Sequence, residues 1–210
     1  MTRRILTLLL IVLMFGSSSY GSDSDDVAWV TDRYESVLRE VFGRGGSGES
    51  LSPEILWTAT GSIVSASDDP EFQFRIVQLS NGEIRASTTQ MQAPLRQQLA
   101  TLHGHHGSAS ADELAKLIAA DRQAFGAGAE TTLAAVVRNF HQLRTDLVVE
   151  NGIVMDPRRY DLHVDGGTQH VDIALLGPSD GHGGHPLIRW MENTRAILMK
   201  SRPRELRQKE

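Results

Sequence analysis

The sequence predicts an α+β fold: a single domain in which an antiparallel sheet of hairpins is covered on one side by helices. Three observations lead there. Short segments alternate apolar and polar residues and are separated by turn signals. Other segments repeat apolar residues every three to four positions behind helix-start residues. The two kinds are grouped instead of strictly alternating, which disfavours a doubly wound parallel sheet.

The amino terminus reads as a removable secretory leader over residues 1–21. Arg3 and Arg4 form a positive region, Ile5 to Phe15 an apolar run, and Gly16 to Gly21 a small-residue stretch ending at a cleavage point after Gly21. Eleven residues rise only about 16 Å as a helix, against about 30 Å of hydrocarbon, so no stable membrane span is expected once the leader is removed. Two arginines also occur in twin-arginine leaders, but the leucine-rich run suits the general export route. The expected location is periplasmic or extracellular.

The leader takes two arginines and no acid, so the formal charge moves from −5 to −7 on cleavage. An acidic chain without a basic stripe is not expected to bind nucleic acid. There is no cysteine, so thiol catalysis and disulfides are excluded and stability must come from a packed core.

Residues 22–53 combine an acidic lead-in, a first helix and a Gly/Ser linker. Val27, Val30, Tyr34, Val37, Leu38 and Val41 make one stripe, which Gly43 ends. Gly45-Gly46-Ser47-Gly48 lacks the lysine of a phosphate loop and follows a helix, so it reads as a connector. Residues 54–200 form the α+β core, on which the first helix packs, and 201–210 a basic polar tail.

Within the core, Ile55 to Ile63, Phe72 to Ile76 and Ile84 to Met91 alternate as three antiparallel strands. A three-residue loop, Ser80–Gly82, places Phe74 and Ile76 on one face with Ile84 and Ala86. Pro94 opens a helix with Leu95, Leu99 and Leu102, followed by a His/Gly/Ser loop. Ser110 and Glu113 form a capping box for a second helix, with Leu114, Leu117, Ile118 and Phe125 inward. A third helix carries Leu133, Val136, Val137, Phe140 and Leu143. A hairpin is expected around Asn151-Gly152, another around Gly166-Gly167, and a last helix begins at Pro186 with Leu187, Trp190, Met191, Ile197 and Leu198 buried.

No nucleophile elbow, zinc-protease helix, dinucleotide glycine pattern or calcium loop is present. The last hairpin is the one feature with placed chemistry. A two-residue loop pairs Asp165 with Thr168, which sets His163 opposite His170 and Asp161 opposite Asp172 on one face, while Tyr160, Leu162, Val164, Val171 and Ile173 cover the core. Facing imidazoles about 5 Å apart at their β-carbons can share a divalent ion. Equally, Asp, His and Thr are ordinary residues on the wet face of an antiparallel sheet, where Arg158 or Arg159 would offset the facing aspartates.

The remaining histidines are expected in two glycine-rich loops, His103 to His106 and His182 to His185, with His185 at the start of the last helix and His141 flanking the core. Trp57, Trp190, Phe72 and Phe74 are read as core.

The leading functional expectation is an exported, non-catalytic binding or envelope protein with an unknown protein or small ligand as partner. The first alternative is a divalent-metal binder using His163 and His170, and the second a secreted hydrolase with dispersed catalytic residues. No cofactor is expected except the metal of the first alternative.

Overall fold

The computed structural model describes residues 22–43, 54–65, 69–125, 130–143, 158–166, 170–177 and 185–201. The leader, the Gly/Ser linker, the 147–155 hairpin, His182 and most of the basic tail lie outside them. The described elements are helix α1 (Ser22–Gly43), strands β1 (Ile55–Ser65), β2 (Phe72–Leu79) and β3 (Ile84–Met91), helices α2 (Leu95–His106) and α3 (Ala111–Leu117), and strand β4 (Ala120–Phe125). Helix α4 (Glu130–His141), strands β5 (Arg158–Asp165) and β6 (His170–Gly177) and helix α5 (Pro186–Lys200) follow. One six-stranded antiparallel sheet runs in the order β4-β3-β2-β1-β5-β6, an α+β arrangement. Among the described residues, no helix is long and apolar enough to cross a membrane.

Strand alternation decides where the main core forms. Trp57, Ala59 and Ile63 of β1 share a face with Phe72, Phe74 and Ile76 of β2 and with Tyr160, Leu162 and Val164 of β5. The stripes of α4 (Leu133, Val136, Val137) and α5 (Leu187, Trp190, Met191, Leu198) cover that face. Each fully buried side chain of this size contributes about 1.5–3 kcal/mol by leaving water. The β2–β3 turn is the expected three-residue loop: Leu79 N donates to Glu83 O, and Gly82 takes a φ of 87° that favours glycine.

A second core closes at one end of the opposite face. Val30, Tyr34, Val37, Leu38 and Val41 of α1 pack on Leu95 and Leu99 of α2 and Leu114 of α3, over Val64 and Met91 of the sheet. Glu71 is buried inside this cluster, accepting from Tyr34 Oη at 2.6 Å and from Leu95 N at 2.9 Å. It thereby ties α1 to the first turn of α2. Burial, then the nearby Glu71 carboxylate, pushes the Tyr34 hydroxyl above its usual range. Val27 points to solvent at 63% exposure, outside the stripe expected for it.

Two helix boundaries differ from expectation. Ser110 does form its capping box with Glu113, but the helix stops after seven residues, with Ile118 already extended. Ala120–Phe125 instead pairs with β3 from Ala86↔Phe125 to Met91↔Ala120. Six ladder pairs on an otherwise unpaired edge outweigh the helical spacing of Leu114, Ile118 and Phe125, and Leu117 is left exposed. In α2, Pro94 is the residue before the helix instead of its first residue, and the helix runs through His103, His105 and His106. These histidines therefore occupy a helical last turn, not a loop. Gly104 costs only a modest propensity there, and imidazoles suit the negative end of a helix.

Candidate functional site

Among the described residues, the face opposite the main core is roofed by α1 at one end and carries no helix at the other. Adjacent strands place its residues in rows: Val64, Arg159 and Leu176; Ser62, Asp161 and Ala174; Thr60, His163 and Asp172; Thr58, Asp165 and His170. Arg159 fastens the roofed end, donating to Glu35 of α1 at 2.8 and 3.2 Å and to Asp161 at 2.8 Å. The Glu35 hydrogen bond, foremost among these contacts, holds the guanidinium's pKa above its usual range.

The pairing corrects the expected hairpin. Asp165 lies opposite His170, not Thr168, and His163 lies opposite Asp172, not His170. Asp161 faces Ala174 instead of Asp172. Four residues separate Asp165 from its partner His170 where two were expected, and the register moves by two positions. A two-residue shift preserves strand parity, so every side chain keeps its face while its partner changes. Opposed aspartates never arise, and Asp161 finds Arg159 on its own strand.

What results is a compact triad. His163 Nδ1 lies 2.6 Å from Asp172 Oδ1, and His170 Nε2 lies 3.2 Å from Asp172 Oδ2. The two rings meet edge to face with centroids 4.5 Å apart. The hydrogen bond from His163, followed by the charges of both imidazoles, holds the Asp172 carboxyl below its ordinary range. All three side chains are solvent-exposed to between 45 and 70%. Of the apolar face expected for β6, Ile173 is partly buried against the core, but Val171 is 42% exposed, because β6 is the sheet's outer strand.

Among the described residues, His163, His170 and Asp172 are the one group of three able to hold a metal ion, their ligand atoms lying within 4.8 Å of one another. Two imidazoles and a carboxylate are a zinc-type donor set. Tetrahedral zinc at about 2.0–2.1 Å from each donor needs donors about 3.3 Å apart. The three donor atoms already lie within 4.8 Å of one another, so side-chain shifts of about 1–2 Å bring them to that spacing. Three protein donors leave a fourth position open. Beside the triad lies a hollow of about 320 Å³ bounded by Thr60, Ser62, Asp161 and Ala174 as well as His163 and Asp172.

The other histidines do other work. His103 pairs with Asp26 and lies 4.8 Å from the Trp29 ring, whose Nε1 donates to Gly107 O. His185 caps α5, its Nδ1 accepting from Leu187 N at 3.2 Å. His141 stands exposed against Trp57 and Phe140. Trp57, Trp190, Phe72 and Phe74 are buried, as expected of core residues.

Sequence reasoning missed a partly buried polar network at the start of β5. Arg158 donates to Glu192 at 3.0 Å and pairs with Asp69, while Tyr160 Oη donates to the same Glu192 oxygen at 2.9 Å. Burial, then Glu192, raises the Tyr160 pKa. No periodicity signal links residues 69, 158, 160 and 192, which the fold alone brings together.

Compared with models of protein families, with curated proteins and with solved structures, the chain matches none. The geometry on this open sheet face is therefore what supports a functional reading.

Proposed function

We propose that this is an exported, non-catalytic binding protein whose ligand is a divalent transition-metal ion of the zinc class, held by His163, His170 and Asp172. The carrying observation is that one carboxylate contacts both imidazoles, each of its oxygens turned to a different ring. An ion at that point would replace two hydrogen bonds with three coordinate bonds and satisfy all three groups at once. The absence of cysteine favours a nitrogen and oxygen donor set. The site is an open sheet face, which suits reversible capture better than chemistry that must exclude water. Export is supported by Arg3-Arg4, the apolar run from Ile5 to Phe15 and the small residues up to Gly21.

Zinc titration of tag-free protein by calorimetry tests the metal reading. One equivalent should bind, and His163→Ala or His170→Ala should weaken it by about tenfold or more. Affinity should fall from about pH 7.5 to about pH 5.5, because protons compete for the same donor atoms. Absence of binding at about 100 μM zinc, or equal affinity in wild type and both variants, would overturn it. Amino-terminal sequencing of protein from fractionated cells tests export: a chain beginning at Ser22 outside the cytosol is expected, and an intact Met1 form confined to the cytosol contradicts it.

A further inference from the structure

On the other side of the sheet, α4 and α5 lie side by side with a groove of about 330 Å³ between them. That is the lower end of the range for small-molecule sites. Val136, Trp190 and Ile197 form an apolar wall. Arg189, Asn139 and Asn193 stand along the rim, exposed to solvent. Thr194, which also lines the groove, is 1% exposed, and its Oγ1 has no hydrogen-bond partner.

That hydroxyl is informative. A helical threonine ordinarily returns its proton to the carbonyl one turn back, and a buried hydroxyl without any partner is unfavourable. Here the unpartnered group belongs to a groove that also carries a cation. Among the described residues, Arg189 has no ion-pair partner, since the nearby Glu192 is engaged by Arg158, Tyr160 and Arg195. Arg189 sits in the first turns of α5, where the helix end adds positive potential. The indole of Trp190 already donates to Val136 O, which leaves its ring as an apolar surface.

We infer that this groove binds a small organic carboxylate. The ligand's apolar body lies along Trp190 and Ile197, its carboxylate pairs with Arg189, and Thr194 Oγ1 donates to one of its oxygens. The site lies on the opposite face of the sheet from the triad and does not depend on the metal reading.

Octanoate is a suitable probe, with octanol lacking the charge and acetate lacking the body. Titration of the intact protein, followed by amide chemical shifts and by tryptophan fluorescence, should show octanoate binding at about millimolar affinity. Octanol and acetate should bind at least about tenfold more weakly, because each loses one of the two contributions. Arg189→Gln should weaken octanoate about tenfold. Thr194→Val should weaken it while leaving the melting temperature equal or higher, since it removes a hydroxyl with no partner in the free protein. Equal binding of octanol and octanoate would overturn the proposal, as would undiminished octanoate binding in both folded variants or no binding at about 10 mM.

Discussion

Replacing Gly61 by alanine sets a methyl group inside the space of the Phe74 ring. Gly61 pairs directly with Phe74 across β1 and β2, and a β-carbon built there lies 2.3 Å from Cζ and 2.5 Å from Cε1. Ordinary contact begins at 3.4 Å, so ring or strand must retreat by about 1 Å. The ring has nowhere easy to go. Phe74 is fully buried, with Trp190 edge-on at 5.7 Å and Phe72 at 6.4 Å. Overpacking of this kind costs about 1–3 kcal/mol. For a chain of this length each kcal/mol moves the melting temperature by about 2–4 °C, so a fall of about 2–12 °C is expected by calorimetry. Phe74→Leu removes the atoms in conflict at the expense of a cavity. The double variant should therefore be more stable than the sum of the two single losses, with a coupling of about 0.5–3 kcal/mol. A Gly61→Ala protein as stable as wild type, or strictly additive losses, would refute this packing of β1 on β2.

Three further outcomes follow from particular contacts. Tyr34→Phe leaves Oε1 of buried Glu71 without its donor and should cost about 1.5–3 kcal/mol in urea unfolding; a loss under about 0.5 would contradict the bridge from α1 to α2. Ser110→Ala removes the hydroxyl half of the capping box, leaving the backbone N–H of residue 110 on Glu113, and should cost about 0.5–2 kcal/mol, with increased amide exchange confined to α3 as its signature. Asp172 has a folded pKa below its ordinary value of 3.8, chiefly through the His163 hydrogen bond. Its contribution to stability is accordingly present above that ordinary value and lost as pH falls through the lower folded one. Carboxyl-carbon NMR titration should show His163→Ala raising the Asp172 pKa toward 3.8, and an unchanged midpoint would remove the hydrogen bond from the account.

Much of the sheet was legible because period-two alternation is a local property. The β2–β3 register followed from parity and the Asn81-Gly82 turn, and both core stripes of α4 and α5 followed from helical spacing. Failures occurred where a distant partner decided the outcome. Ala120–Phe125 reads as helix until β3 offers an unpaired edge, and His103 reads as loop until Trp29 and Asp26 hold it in α2. The candidate site was legible by face and not by partner. Strand parity placed His163, His170 and Asp172 on one surface, but a register offset by two residues sets Asp172, not His170, opposite His163. The Thr194 hydroxyl and Arg189 gave no signal, since a polar residue on an amphipathic helix is ordinary until its neighbours are known.

The metal site stands or falls on which imidazoles meet the ion. Nitrogen-15 NMR of the histidine rings, followed while zinc is added to tag-free protein, reports each ring separately. At one equivalent, the ring nitrogens of His163 and His170 should shift together, with those of His103, His105, His106, His141 and His185 unmoved. Shifts that begin at the α2 histidines, or none at His163 and His170 by one equivalent, would contradict the assignment.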